Sequence, residues 1–327
     1  MVNKKIIIGS ALLILVVAGG IYYLSTRQPK ERQSFDFLID WQAGPTYMGV
    51  YYAKHLGYFQ KLGLDVNIIQ SWGANPAVAS VAGGKYLMST ASGGATVLGR
   101  NNSADVVSTA VLYHKITTVI YALASKNIYI PKDLEGKRIG IYPGSISANE
   151  FDAFVKINNL DRSKLKVVSL TGADIPLVLA DQVDAVLTYA ENSAVMIRLN
   201  NDLPVINGDK ISEIKLADYG VGGYGLNVII NKDYLKNNAS LARGISEAVI
   251  NGYRAACKNK EDAVSSFAVE FPDLDVVFIK NGLDVVCQAI TEPIGDQTQQ
   301  GWQETVNLYN NLGLLSKPID INSLYVK

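Results

Sequence analysis

The sequence predicts an α/β fold with two lobes and a ligand cleft between them. Short apolar runs alternate with helical patterns from Phe35 onward, as in Leu64 to Ser71 followed by Pro76 to Ala82. The alternation begins a second time near Asp133 and ends in a helical tail from Asn238 to Leu312. Alternating strands and helices indicate mostly parallel sheets with helices on both faces. Two such runs therefore indicate two lobes.

The predicted lobes are discontinuous in the chain. Residues 35–124 and 222–327 are assigned to lobe 1, and residues 125–221 to lobe 2. The chain is expected to cross between them near Leu123–Asn127 and near Asp218–Gly225, where four glycines suit a hinge. Ligands of open α/β sheets bind beyond the carboxyl ends of the strands. Between two lobes, that region becomes a cleft that can close on a small molecule by hinge motion.

The N-terminal segment, residues 1–34, predicts attachment to a membrane. Ile6 to Leu24 is uncharged, and its 19 residues would span roughly 28 Å as a helix, close to the thickness of a bilayer core. Lys4 and Lys5 precede this run, so it is either a signal peptide or an uncleaved anchor. Its length favours the anchor. The polar residues 25–34 would then tether the body to the membrane.

Charge and composition exclude several classes of function. Lys plus Arg equals Asp plus Glu at 30 each, and the first 32 residues hold five of the basic side chains but one acidic one. The remaining body is mildly acidic, which argues against nucleic acid as a partner because a phosphate-binding face needs clustered Lys and Arg. The two histidines and two cysteines form no metal motif, so neither a metal nor a cofactor is expected. The sequence leaves open whether Cys257 and Cys287 pair.

Short motifs follow one another in the order typical of a known family. They are Asp40-Trp41, Gly57-Tyr-Phe59, Gly63-Leu-Asp-Val66, Asp133-Leu-Glu-Gly-Lys-Arg-Ile-Gly140, Val183-Asp-Ala185, Asp218-Tyr-Gly-Val221, Gly252-Tyr253 and Gly313-Leu-Leu315. Over residues 35–315 the chain resembles the ThiY/SsuA-like solute-binding proteins of ABC importers. The resemblance implies the type II periplasmic-binding-protein fold. It also implies a monomer on the outer face of a cell membrane, which captures a small ligand and delivers it to a permease and ATPase complex.

The family binds several ligands, and this chain departs from the motifs of two branches. The pyrimidine-binding branch has Pro-Asn after Asp-Trp and a histidine three residues later, where this chain has Ala43, Gly44 and Tyr47. The riboflavin-like branch has a glutamate where this chain has Ser193, with a carboxylate at Glu191 instead. Because the expected cleft holds aromatic and acidic residues, the first choice is a thiamine pyrimidine precursor and the second is riboflavin. A sulfonate or nitrate remains the alternative cargo.

Candidate ligand-binding residues follow the predicted strands, at the ends expected to face the cleft. Asp40 can accept hydrogen bonds from ring amino groups, and Trp41 offers a flat face for stacking a heteroaromatic ring. Tyr189 and Glu191 follow the strand from Asp184 to Thr188, and a subset of the tyrosines is expected to form an aromatic cage. The complete predicted set is Asp40, Trp41, Tyr47, Ser92, Gly93, Tyr113, Ser145, Tyr189, Glu191, Asn192 and Tyr219.

Two loops that join a strand to a helix could hold an anion. Ser92 to Thr96 and Gly144 to Ala148 place backbone N–H groups at helix N-termini, where anions bind. Simple N-capping by the serines is the other interpretation. Glu150 and Asp152 add negative charge to the second helix, so the loop at Ser92 is the better anion candidate.

An enzyme is the main alternative to a binding protein. One branch of the family makes the thiamine pyrimidine with a lysine-bound pyridoxal phosphate, a histidine that is consumed and a cysteine-rich motif. This chain has no cysteine cluster, and Tyr47 stands where the histidine is expected. The sequence therefore predicts capture without chemistry, with no catalytic residue.

Overall fold

Two five-stranded sheets organise the described part of the chain, residues 32–171, 174–193 and 209–326 of a computed structural model. The strands are β1 (Gln33–Ile39), β2 (Leu64–Gln70), β3 (Met88–Ser92), β4 (Val106–Val111), β5 (Thr118–Leu123), β6 (Arg138–Ile141), β7 (Lys166–Ser169), β8 (Ala185–Tyr189), β9 (Ile211–Lys215) and β10 (Leu226–Asn231). The helices are α1 (Met48–His55), α2 (Ala74–Ala82), α3 (Gly93–Asn101), α4 (Ile146–Ile157), α5 (Asp174–Leu179), α6 (Lys232–Lys258), α7 (Lys260–Glu270), α8 (Val276–Ala289) and α9 (Gln299–Asn311).

Each sheet is mostly parallel, with one antiparallel strand inserted. Sheet A has the order β2-β1-β3-β10-β4, in which β10 runs antiparallel to both of its neighbours. Sheet B has the order β7-β6-β8-β5-β9, in which β5 runs antiparallel to β8 and β9. The parallel strands β1 and β2 end together, since Ile39 pairs with Gln70. Their following loops therefore leave the same edge of sheet A.

The lobe boundary differs from the predicted one. The sequence prediction ends the first part of lobe 1 after residue 124, which would include β5. Because β5 pairs within sheet B, the chain crosses in residues 112–117 and not near Leu123–Asn127. The return crossing lies between β9 and β10. The residues of β5 are almost all buried, so the strand has no polar alternation that would mark it in the sequence.

The C-terminal helices pack on both lobes, although residues 222–327 are predicted to belong to lobe 1. Helix α9 packs against α3, which follows β3 of sheet A, and against α4, which follows β6 of sheet B. Its Trp302 and Tyr309 share one apolar cluster with Val97 of α3 and Phe151 of α4. Helix α8 contacts the loops that follow β1 and β8. These two helices therefore connect the lobes at the cleft.

Side-chain caps define where the C-terminal helices begin. Asn231 accepts hydrogen bonds from the amides of Asp233 and Tyr234 at the start of α6. Asp275 accepts from Val277 and Phe278 in the same way at the start of α8. Such caps satisfy amides that have no partner within the helix. The Asp275 cap thus fixes where α8 begins, next to the two loops that this helix contacts.

The predicted N-terminal anchor and most of its tether lie outside the described residues. Within the described residues, no helix has both the length and the apolar character needed to cross a bilayer.

A disulfide joins Cys257 at the end of α6 to Cys287 near the end of α8. It closes a loop with a sequence separation of 30 residues. Closing a loop of that length removes conformational entropy from the unfolded chain, and this constraint is worth about 3.5 kcal/mol. The bridge therefore holds α8 close to the body of lobe 1.

Replacing both cysteines by serine is expected to lower the free energy of unfolding by about 3.5 kcal/mol, because the unfolded chain regains that entropy. Urea unfolding without reductant measures the difference. Reductant should move the wild-type transition toward that of the variant and leave the variant unchanged. Coincident transitions of the two proteins without reductant would contradict a stabilising bridge.

Candidate functional site

The loops that follow β1 and β8 meet between the lobes. The first contains a short 3-10 helix, Pro45–Tyr47, and the second contains another, Ala190–Asn192. The Thr46 hydroxyl donates to Oε1 of Glu191 at 3.2 Å, which is a direct hydrogen bond between the lobes. The Thr46 amide lies 3.5 Å from Oδ1 of Asn192. The structure thus brings the predicted residues of the two lobes into one cleft.

Three buried tyrosines surround the loop after β1. The hydroxyls of Tyr113 and Tyr253 both donate to the carbonyl oxygen of Thr46, at 3.0 Å and 2.6 Å. Tyr47 donates to the carboxylate of Asp40. Tyr253 reaches this position because α1 and α6 pack closely, with Gly49 directly beneath its ring. These contacts hold Thr46 and Asp40 in fixed positions at the cleft.

Asp40 is buried at the end of β1 and is held by Thr90 of β3. The Thr90 hydroxyl donates to Oδ1 of Asp40 at 2.6 Å and accepts from the Asp40 amide at 3.0 Å. Burial raises the pKa of Asp40 above its ordinary value, although the hydrogen bonds from Thr90 and Tyr47 oppose the rise. The side chain is thus positioned by its neighbours but poorly stabilised as an anion.

Glu191 has one oxygen that no described residue satisfies. Its side chain is 2% exposed, and Oε1 accepts from Thr46 while Oε2 has no hydrogen-bond partner in the described structure. Burial raises the pKa of Glu191, and nearby donors, the Glu191 backbone and the Thr117 and Thr46 side chains, oppose the rise. A buried acceptor without a partner is costly. A ligand that donates a hydrogen bond to Oε2 would remove that cost.

A third carboxyl group, Glu150 of α4, lies on the lobe 2 side of the cleft. It is 3% exposed and accepts a hydrogen bond from the hydroxyl of Thr118. Burial raises its pKa from 4.5 to about 7. In the described structure, no neighbouring lysine or arginine lowers the pKa of Asp40, Glu150 or Glu191. The described cleft is therefore suited to a cation or to a ligand rich in hydrogen-bond donors.

Tyr189 lies near these carboxyl groups. It ends β8, directly before the loop that carries Glu191, and is half-buried. Burial raises its pKa well above the ordinary value, with further contributions from Glu150, Tyr309, Asp40 and Glu191. The same ring is thus within electrostatic reach of acidic groups from both lobes. An aromatic surface with acceptors at either end matches a flat ring that carries donors.

Trp41 stands at the exposed rim of the cleft rather than inside it. It is 43% exposed and meets Trp72 in an edge-to-face contact, with the ring centroids 6.5 Å apart. Trp72, which is 76% exposed, was not among the predicted site residues. It follows β2, and the pairing of β2 with β1 brings the two loops together. Its position after a parallel strand is the signal that could have identified it.

The serines of the two predicted anion loops act as helix caps. Ser92 accepts from the amide of Ala95 at 3.2 Å, and Ser145 accepts from the amide of Ala148 at 3.1 Å. The Gly93 amide donates to the carbonyl of Gly225 at 2.7 Å. These donors are engaged in local structure, which favours the capping interpretation and leaves anion binding by Ser92, Gly93 and Ser145 without support.

Tyr219 lies apart from the other predicted site residues. Its ring meets Phe154 of α4 in an edge-to-face contact, with the centroids 6.0 Å apart. Its carbonyl accepts from the side chain of Asn158 at 3.2 Å. It packs in the apolar cluster between α4 and the short helix Leu216–Tyr219, and not among the polar groups around Thr46. Tyr219 was expected at the cleft as one of several tyrosines at strand ends or in loops on the cleft side, and its contact with a ligand stays a prediction.

Replacing Glu150 by glutamine is expected to change how stability depends on pH. A carboxyl whose pKa rises from 4.5 to about 7 on folding stabilises the fold fully below pH 4.5, and that contribution is lost as the pH rises through 7. Since the glutamine keeps an acceptor for Thr118 and cannot ionise, the variant should be more stable than the wild type at pH 8 by about 3 kcal/mol. At pH 4 the two proteins should be nearly equal in stability. Urea unfolding at both pH values measures the free energy of unfolding of each protein. The same change in that free energy between the two pH values in both proteins would contradict the prediction.

A family model described as NMT1/THI5 like matches residues 44–263, about two thirds of the chain. The chain belongs to the NMT1/THI5-like family. The match includes the loops around Thr46 and Glu191, so the candidate site lies within the family region. Within the described residues, no group of three or more His, Cys, Asp or Glu side chains is arranged to hold a metal ion.

Relatives of this NMT1/THI5-like chain include binding proteins and synthases. The formylaminopyrimidine-binding protein of Halalkalibacterium halodurans is 22% identical over 97% of this chain and 96% of its own length. The 4-amino-5-hydroxymethyl-2-methylpyrimidine phosphate synthase THI11 of Saccharomyces cerevisiae is 23% identical over 65% of this chain and 64% of its own length. The first relative therefore matches along nearly the whole chain, whereas the second matches over part of it.

Solved structures confirm the predicted fold. The periplasmic aliphatic sulphonate binding protein SsuA of Escherichia coli superposes with a TM-score of 0.71 at 16% identity, covering 91% of this chain and 92% of that protein. The NMT1/THI5-like chain thus has the two-lobed type II periplasmic-binding-protein fold. At this identity the likeness concerns the fold alone.

Proposed function

We propose that this chain is the solute-binding protein of an ABC importer and that it captures an amine-bearing heteroaromatic ring. The observation that carries the proposal is the unpartnered Oε2 of Glu191, buried where the two lobes meet. An exocyclic amino group or a protonated ring nitrogen donates the hydrogen bond that this oxygen lacks. The ring itself would lie against Tyr189, which is half-buried and close enough to Glu150, Asp40 and Glu191 for all three to raise its pKa.

A thiamine pyrimidine precursor of the formylaminopyrimidine type is the first candidate ligand. The relative that matches 97% of this chain is named as a formylaminopyrimidine-binding protein. An aminopyrimidine is flat, carries donors for Asp40 and Glu191, and has no negative charge that would face the three carboxyl groups. Riboflavin is the second candidate, because its larger ring system also stacks on aromatic residues.

The other activities of related proteins fit this cleft less well. A sulfonate would lie among Asp40, Glu150 and Glu191 with no described lysine or arginine to neutralise it. A pyrimidine synthase of the family would need the histidine that is replaced by Tyr47 and a cysteine cluster. Both cysteines of this chain are joined in a disulfide. These features favour capture over chemistry.

Delivery would follow from lobe closure at the membrane. Residues 6–24 would anchor the chain to the outer face of the membrane, and the ligand would enter the cleft past Trp41 and Trp72. The bond between Thr46 and Glu191 would form as the lobes close. The closed protein would then dock as a monomer on the permease and ATPase complex.

Thermal unfolding with a ligand panel tests the class of cargo. A ligand present at about 100 times its dissociation constant stabilises the fold by roughly 2.7 kcal/mol, which raises the melting temperature measurably. The panel comprises formylaminopyrimidine, riboflavin, an alkanesulfonate, nitrate and pyridoxal phosphate. We expect stabilisation by formylaminopyrimidine. Stabilisation by the sulfonate or nitrate alone would contradict the acidic cleft, and a yellow lysine adduct with pyridoxal phosphate would instead support the synthase.

A further inference from the structure

A second unpartnered polar group is buried on the C-terminal helix α9, which packs against helices of both lobes. Tyr309 is 1% exposed, and its hydroxyl has no hydrogen-bond partner in the described structure. The hydroxyl lies directly against Gly94, where a Cβ atom would collide with it. It therefore points at the first turn of α3. Neither the prediction from sequence nor the site around Glu191 accounts for this hydroxyl.

The first turn of α3 offers a free donor beside Tyr309. The first amides of a helix have no acceptor within the helix. In α3 the Gly93 amide is engaged by Gly225 and the Ala95 amide by the Ser92 side chain. The Gly94 amide lies between them, next to the Tyr309 hydroxyl. Two donors are thus neighbours at the N-terminus of a nine-residue helix.

Glu150 supplies an acceptor on the other side of this position. Helix α9 packs against both α3 and α4, so Tyr309 lies between the helix that carries Gly94 and the helix that carries Glu150. Burial raises the pKa of Tyr309, and the nearby carboxylate of Glu150 raises it further. A free anion at this helix terminus would face Glu150, which disfavours phosphate or sulfonate. A neutral group with one acceptor and one donor is complementary to the Tyr309 hydroxyl, the Gly94 amide and the Glu150 carboxyl.

We propose that Tyr309, the Gly94 amide and Glu150 form a second polar subsite that binds a secondary amide of the ligand, such as a formamido group. The amide oxygen accepts from the Tyr309 hydroxyl and the Gly94 amide, and the amide N–H donates to Glu150. Glu150 can accept in either of its protonation states. The subsite rests on the proposed function, because it requires the ring to lie against Tyr189 with its amino group at Glu191. The two subsites then fix the ligand at opposite ends.

Calorimetric titration of the full-length chain and its Tyr309→Phe variant tests the subsite with two probes, formylaminopyrimidine and the same pyrimidine with a free amine in place of the formamide. The variant loses one hydroxyl and keeps the ring, so it should bind the formylated probe about tenfold more weakly. Its affinity for the free amine should stay within about twofold of the wild-type value. Tyr234→Phe, on the lobe 1 helix α6, is the matched control and should bind both probes as the wild type does.

The outcomes separate the subsite from the proposed function. Tyr309→Phe without ligand should unfold at the wild-type temperature or above it, because the variant removes a buried hydroxyl that has no partner. Equal weakening for both probes, or no weakening for either, would overturn the subsite while the proposed function stands. A wild-type protein that binds neither probe would overturn both.

Discussion

Replacing Glu191 by glutamine is expected to weaken binding of an amine-bearing heteroaromatic ligand about 100-fold. The glutamine side chain can still accept from Thr46, but in place of the acceptor Oε2 it presents an amide donor to the donors of the ligand. A buried, charge-assisted hydrogen bond contributes about 1.5–3 kcal/mol, and the unsatisfied donors add to the loss. Calorimetric titration at pH 7.5 measures the change in dissociation constant.

The control for this prediction is Glu247→Gln, an exposed position on α6 far along the chain from the cleft loops. It changes the net charge by the same amount and should leave the affinity unchanged. The unliganded Glu191→Gln protein should unfold at the wild-type temperature or above, since the carboxyl is poorly stabilised as an anion. Wild-type affinity in the Glu191 variant would show that Oε2 does not contact the ligand.

Replacing Gly282 by valine is expected to lower ligand affinity at least 100-fold, because the lobes could no longer close. Gly282 lies on α8 against Pro45 and the Glu191 carbonyl, where a Cβ atom would collide with the first and come within 2.6 Å of the second. On α8, Val285 packs on the sheet B cluster and Phe278 packs on the clusters of both sheets, whereas Ile279, Leu283 and Val286 pack in the sheet A cluster. The disulfide to α6 prevents α8 from withdrawing.

Two glycine-to-alanine variants distinguish an effect on lobe closure from an effect on helix stability. Gly282→Ala should weaken binding about tenfold, since even one methyl group must displace the Pro45 ring on one loop and the Glu191 carbonyl on the other. Gly244→Ala in α6 meets only the flexible end of Leu62, so it should bind normally and be as stable as the wild type or slightly more so. Small-angle X-ray scattering should show that saturating ligand fails to compact Gly282→Val. Full compaction would contradict the role of Gly282 in closure.

The sequence predicted the part of the site that lies at strand ends. Asp40 and Tyr47 follow β1 of sheet A and Glu191 follows β8 of sheet B, and the segments beyond the carboxyl ends of these two strands meet between the lobes. The structure brings these three together, while their contact with ligand stays a prediction. The motifs of the family also identified the fold, which the comparison with solved structures confirms.

The rest of the site depends on tertiary packing that no local pattern encodes. Tyr253 and Tyr309 come from helices in the C-terminal tail, and they reach the cleft because α6 packs on α1 and α9 packs between the lobes. The pairing of Cys257 with Cys287 likewise depends on the distance between α6 and α8. The placement of β5 was wrong for a similar reason, since its buried residues do not indicate which sheet it joins.

An acidic, aromatic cleft should select a neutral or cationic heteroaromatic ligand over an anion. Side-by-side calorimetric titration of the wild-type chain with formylaminopyrimidine and with an alkanesulfonate measures this selectivity. We expect a saturable, exothermic titration with the pyrimidine and no measurable heat of binding with the sulfonate. Saturable binding of the sulfonate with no response to the pyrimidine would contradict the assignment of Glu191, Asp40 and Glu150 to ligand recognition.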